Sequence, residues 1–276
     1  MGRINPSEIK DMIQQNPESR ELVNLLVTIV EGSESIETRL ELLEFLSLYD
    51  LRNESYFALF ENLLISDAQE KIRALAADII VHNYIEEGFG ALEWAILNDS
   101  SPLVLRKVYN LVKETTNPVK IILEAKIYEK FENIAQKYKI AVKEVPFLMD
   151  LGLNFSNRNF YIGNQDFHFI YENDKLCIIK EGHIKELGIS FIREVPESIG
   201  QLKKLEHLDL SFGYISNLPG SIVQLKKLNS INLSWNNLTL IPKVIESLLF
   251  VDQINLSHNE IKFWPRWALE QKNIII

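Results

Sequence analysis

The sequence predicts α and β in separate domains: an N-terminal solenoid-like stack of helices, then a C-terminal solenoid of short parallel strands. Two observations carry this reading. Residues 7–137 place apolar side chains at helical spacing, for example Leu22, Leu25, Leu26, Ile29 and Val30, with almost no strand signal. The C-terminal part instead repeats itself every 23 residues. The expected layout is a helical domain over 1–145, a linker over 146–166 and a strand-bearing domain over 167–276. Pro146, Gly152 and Gly163 would interrupt any long helix between the two domains.

The strand repeat can be followed residue by residue. Segments beginning at Leu205, Leu228 and Val251 align without gaps, and Pro196, Pro219, Pro242 and Pro265 stand 23 apart. Each unit reads LxxLxLxxN, then an apolar-Pro pair, then half a turn of helix. Within a short strand, Leu208, Leu210, Ile231, Leu233, Ile254 and Leu256 point inward and the residues between them outward. Asn236 and Asn259 are placed to bond backbone groups that the turn would otherwise bury unpaired. One unit cannot bury its own apolar face, so the units must stack. Gly213 replaces the expected Asn in the first full unit, and the unit before it, from Ile184, reaches its proline two residues early. Upstream, 167–171 and 175–179 read as a β-hairpin joined through Glu172, Asn173 and Asp174, able to shield the first edge of the sheet. At the other end Asn273 and the three isoleucines after it start a further strand, with Trp264 and Trp267 as capping bulk.

These residues resemble the leucine-rich repeat family, in its 23-residue form with LPxxI in each unit. The resemblance covers about a third of the chain and implies a leucine-rich-repeat solenoid. Many such proteins bind other proteins on the concave sheet face.

Helix starts in the first half are marked at Pro6-Ser7-Glu8, Pro17-Glu18, Ser101-Pro102 and Asn117-Pro118. A weaker repeat is also present. Arg39, Arg73 and Arg106 are 34 and 33 apart, and each opens an apolar stretch after a polar turn. This resembles the helical pairs of HEAT or armadillo arrays, with Asp67 and Arg73 in the places of their Asp–Arg pair. An irregular helical bundle is the alternative. Glu34, Glu37, Glu41 and Glu44 share one helix face, either solvated or a dock for a basic partner.

Composition sets limits on function. Apolar residues make up 46% and charged residues 24%, which excludes a disordered chain. The formal charge of −9 lies wholly in residues 1–150, an acidity that argues against nucleic acid and anionic membrane as main partners. No apolar run approaches a membrane span and no signal-peptide core is present, so the cytoplasm is the expected location. The single cysteine, Cys177, lies in an apolar run and reads as an inert core residue.

No catalytic, cofactor or metal constellation emerges. His82, His168, His183, His207 and His258 are scattered without ligand spacing, and no phosphate-cradling loop, nucleophile elbow or zinc-protease motif occurs. Glu86 and Glu87 read as a solvated helix end. The repeats do align one row of large side chains: Phe212, Trp235 and His258, spaced by 23. His207, Asp209, Asn232 and Asn255 flank it on the same expected face. Such a row is either a protein-binding hot spot or a half-buried stack of rings. The resulting expectation is a non-enzymatic interaction or scaffold protein with a protein partner and no cofactor. The alternative is a regulatory subunit of a small GTPase, phosphatase or ligase system.

Overall fold

The computed structural model describes residues 6–16, 19–52, 54–153, 160–162, 167–172, 174–248 and 250–276. The chain falls into two compact units, Met1–Lys130 and Phe131–Ile276.

The first unit is helical: α1 (Pro6–Gln15), α2 (Arg20–Gly32), α3 (Ile36–Leu46), α4 (Glu54–Ser66), α5 (Glu70–Asn83), α6 (Phe89–Asn98), α7 (Pro102–Glu114) and the start of α8 (Lys120–Tyr138). Local chemistry sets several starts. Ser35 and Ser101 accept hydrogen bonds from the amides of Thr38 and Val104, and Asn117 Oδ1 accepts from Val119 ahead of α8. The expected start at Pro17-Glu18 lies outside the described residues.

The helices form two rows. Helix α5 packs against α3, α4 and α7, and α4 packs against α6. Close approach on several sides needs small residues, and α5 supplies buried Ala74, Ala76 and Ala77. Arg39, Arg73 and Arg106 lie near the starts of α3, α5 and α7. Arg39 pairs with the nearly buried Asp67, ahead of α5. Arg73 in turn grips Asp99, ahead of α7, through two bonds of 2.7 and 3.0 Å. Each of these two arginines thus reaches the turn of the following helix pair. Both carboxylates also cap their own turns: Asp67 accepts from the Gln69 amide and Asp99 from the Ser101 amide.

The second unit holds one eight-stranded sheet in chain order: β1 (Phe160–Ile162), β2 (Phe167–Glu172), β3 (Lys175–Lys180), β4 (His183–Ile189), β5 (His207–Asp209), β6 (Ser230–Asn232), β7 (Gln253–Asn255) and β8 (Ile274–Ile275). Strands β1 to β4 pair antiparallel and β4 to β8 parallel. The expected hairpin is β2–β3, its Asn173 outside the described residues.

The 23-residue spacing becomes a straight register. Leu187, Leu208, Ile231, Ile254 and Ile274 are successive neighbours across the parallel strands, and all are buried. Leu210, Leu233 and Leu256 form a second buried column. After each proline the chain makes a short 3-10 turn, at Glu197–Gln201, Gly220–Gln224 and Lys243–Leu248, which buries Ile199, Ile222 and Ile245. In the last coil α10 (Arg266–Leu269) takes that place and buries Ala268.

The first part of the expected linker is packed helix. Helix α9 (Val145–Asp150) buries Pro146, Phe147, Leu148 and Met149 and lies against the Glu197–Gln201 turn. Pro146 does not break the helix because it sits in the first turn, where its missing N–H is not needed. Gly152 ends the segment at φ +67°, and Gly163 lies outside the described residues. Two ties fasten this segment within the unit: Asp150 bonds the Ser198 hydroxyl, and Glu144, fully buried, receives the Ile184 amide at 3.0 Å and meets His183 Nδ1 at 2.8 Å. Burial raises the Glu144 pKa above the ordinary carboxylate range, against the opposing pull of these two bonds. Replacing Glu144 by Ala leaves the Ile184 amide buried without its acceptor. We expect a loss of about 1–3 kcal/mol, measured by urea unfolding, with Glu144→Gln retaining most of it because its carbonyl can still accept. Equal stability of parent and Ala variant would contradict this tie.

Candidate interaction surface

The row of large side chains begins with the strands but does not lie on them. Each parallel strand from β5 to β7 ends at an Asp or Asn, and its Oδ1 accepts the amide two residues on: Asp209 from Ser211 at 2.9 Å, Asn232 from Ser234 at 3.1 Å, Asn255 from Ser257 at 3.0 Å. This local bond turns the chain out of extended geometry. The next residue then adopts left-handed backbone: Phe212 at φ +56°, Trp235 at +57° and His258 at +55°. Such a conformation costs bulky residues roughly 1–3 kcal/mol each and persists only where surrounding bonds enforce it.

Those bonds are present. The Phe212 amide donates to Ser234 O and the Trp235 amide to Ser257 O, each 3.2 Å, continuing the inter-strand ladder past the strand ends. One residue further, Asn236 Nδ2 donates to Leu210 O at 2.7 Å and Leu233 O at 3.1 Å, while its Oδ1 accepts from the Ile215 amide. Asn259 does the same for Leu233 O, Leu256 O and the Leu238 amide. Gly213 also finds its reason here: a Cβ at that position would stand 2.6 Å from Asn236 Oδ1.

The rings therefore stand side by side just beyond the strand ends. Phe212 and Trp235 are stacked at 5.8 Å with planes 11° apart, and Trp235 and His258 at 4.1 Å with planes 14° apart. They are nevertheless exposed, Phe212 at 55% and Trp235 at 50%. Of the two alternatives drawn from the sequence, the stack of rings is present, and its rings are exposed.

Of the flanking residues, His207 is exposed on β5 and its Nδ1 meets Ser230 Oγ at 2.8 Å. Asp209 is exposed, whereas Asn232 and Asn255 are half-buried and hold their turns. The expectation that the residues between the inward side chains are exposed holds for Asp209 and needs correction for Asn232 and Asn255, which are half-buried because they hold their turns; Ser211 and Ser234, which follow the inward pairs, are buried.

Phe191 falls outside the 23-residue count but belongs to the row. It has φ +57°, is 62% exposed, and its amide donates to Phe212 O at 3.0 Å, so it opens the row. It precedes Phe212 by 21 residues, since the first coil is two residues short. Counting from the strand recovers it: Leu187 pairs with Leu208, and four residues on stand Phe191 and Phe212.

A leucine-rich-repeat protein of Leptospira interrogans is similar to part of this chain. The likeness is 38% identical over 34% of this chain and 25% of that one, with a TM-score of 0.30. No protein-family profile matches the sequence. No curated protein matches it either.

Among the other titratable groups, Cys177 is fully buried, and desolvation, with Glu144 nearby, pushes its thiol up to about 12. Such a thiol stays protonated at neutral pH and is not a nucleophile. His82 Nδ1 meets the Asp78 carbonyl, and Glu86 accepts from Asn117. On the acidic helix Glu41 is bound by Lys10 at 2.5 Å. Among the described residues no group of three or more His, Cys, Asp or Glu could hold a metal ion, and no helix is long and apolar enough to cross a membrane.

Proposed function

We propose that the sheet unit is a leucine-rich-repeat solenoid and that the protein is a non-enzymatic interaction or scaffold protein, binding a protein on the outward sheet face and the ring row beside it. The carrying observation is the row itself. Four bulky side chains, Phe191, Phe212, Trp235 and His258, are all held in left-handed backbone. The fold needs only turns at these places, and glycine or asparagine would make them with less strain. Large rings kept exposed against that cost are what a binding surface requires. The helical unit is proposed as a HEAT- or armadillo-like stack, on the strength of the linked Arg39–Asp67 and Arg73–Asp99 pairs. A cytoplasmic setting and a partner other than nucleic acid or membrane follow from the acidic charge and the lone cysteine as working expectations.

The test is photo-crosslinking in the source cells, with a benzophenone amino acid in place of Trp235. A single protein adduct in near-stoichiometric yield is expected, absent when the probe replaces the exposed Lys227, between the Gly220–Gln224 turn and β6, instead. Catalytic turnover by the purified chain, or adducts equal at both positions, would oppose the reading.

A further inference from the structure

The outward face of the sheet has one missing side chain. In the column Asp209, Asn232, Asn255, the position before Asp209 is Gly188. On its other side Gly188 is paired with Leu176, and Glu186, two residues away on the same strand, is paired with Ile178 and His207. The glycine therefore lies at the centre of a grid of outward side chains and opens a hollow of about 490 Å³.

The backbone does not demand this glycine. Gly188 is not among the glycines of positive φ, and a Cβ there would meet Leu176 Cβ at 3.8 Å, an ordinary contact. What the glycine provides is the space.

The chemistry of the walls is one-sided. Leu176, 37% exposed, and Ile178 form an apolar wall. Across Gly188 from Leu176 stands Asp209; Glu186, Asp174 and His207 also line the hollow, and none of the described lining residues is a lysine or arginine. Lys180 occupies Glu186 from outside the hollow, at 2.8 Å. Asp209 and Asp174 are exposed and have no cation paired to them among the described residues. A slot with an aliphatic wall and a carboxylate opposite suits a long side chain with an apolar stem and a positive head.

We propose that the hollow over Gly188 receives a lysine or arginine side chain of the protein partner, the partner's chain running on to the ring row. This rests on the outward-face reading above. The hollow and the row share the turn at Asp209, whose side chain lines the one and whose Ser211 bond shapes the other.

The test is an NMR titration of the ¹⁵N-labelled full chain with acetyl-arginine amide, and with acetyl-citrulline amide as its uncharged counterpart. Saturable shifts at Gly188 and Asp209 are expected with the arginine compound, and binding at least ~10-fold weaker with citrulline. Gly188→Leu should abolish the response by filling the slot. Asp209→Asn should weaken it at least ~10-fold while keeping the turn, because Asn232 and Asn255 make the same bond in the next coils. No saturable shift, an equal response to citrulline, or undiminished binding by both variants would overturn the proposal. If the native partner is lost on Trp235→Ala while the arginine compound leaves Gly188 undisturbed, the outward-face reading stands and the hollow's role falls. If Trp235→Ala changes nothing, the underlying reading fails whatever the arginine compound does.

Discussion

Replacing Trp235 by Ala should weaken partner binding at least ~30-fold, the equivalent of about 2 kcal/mol, while leaving the chain folded. The ring is at the middle of the row, stacked on Phe212 on one side and His258 on the other. Its removal takes away the largest contact area and also the support that orders its two neighbours. The cost to folding is small by comparison, because the side chain points away from the buried columns. Each ring pair contributes only about 0.5–1.5 kcal/mol beyond burial. Trp235→Gly separates the two effects. It should bind as poorly as the Ala variant yet unfold at a higher temperature, since glycine accepts φ +57° without strain. Measurement of Kd by calorimetry and of the thermal midpoint by circular dichroism gives both quantities. A folded Trp235→Ala variant that binds like the parent would remove the row from the binding surface and move attention to the helix bearing Glu34, Glu37, Glu41 and Glu44.

The largest effect on stability is expected from Leu233→Ala, at about 2–5 kcal/mol. Leu233 is fully buried between Leu210 and Leu256 in the second inward column. A stacked coil has few ways to collapse around the missing atoms, because the Leu233 backbone is tied at both its amide and its carbonyl. The Leu233 amide donates to Asn255 O at 2.8 Å, and its carbonyl receives Asn236 at 3.1 Å and Asn259 at 2.8 Å. The full cavity therefore persists. Asn232→Ala, one residue away but facing outward, should cost far less. Equal midpoints for Leu233→Ala and the parent would mean that the inward and outward faces are exchanged.

Repetition makes the sheet unit legible. A spacing kept over four prolines leaves one register for the strands, and that count alone sets Leu208, Ile231 and Ile254 inward, where the strand pairing places them. Ring alignment follows from the same count. Its backbone does not, since phenylalanine and tryptophan carry no signal for left-handed φ. That conformation emerges only once Asp209 or Asn232 turns the chain and the next coil accepts the amide. Phe191 escapes the count because the shortened first coil breaks the period that reveals the others. Glu144 is hidden for a different reason: its partners His183 and Ile184 lie about forty residues away, and no local pattern announces such a tie. In the helical unit the sequence sets Arg73 beside Asp67, yet its bidentate partner is Asp99, in the following turn. Asp99 stands 32 residues after Asp67, close to the helix-pair spacing, so the turn sequence does contain the clue.

The asparagine bonds give the sheet unit a direction in time. Asn236 closes the Leu210 carbonyl of the coil before it, and Asn259 closes that of Leu233. The Leu210 carbonyl is thus closed from the coil that follows it. Synthesis delivers residues in that order, so the Leu210 carbonyl meets its Asn236 donor only after 26 further residues have been added. Translation pauses placed just after Leu210 or Leu233 would hold the newest coil open, the stage at which a chaperone could most readily engage it.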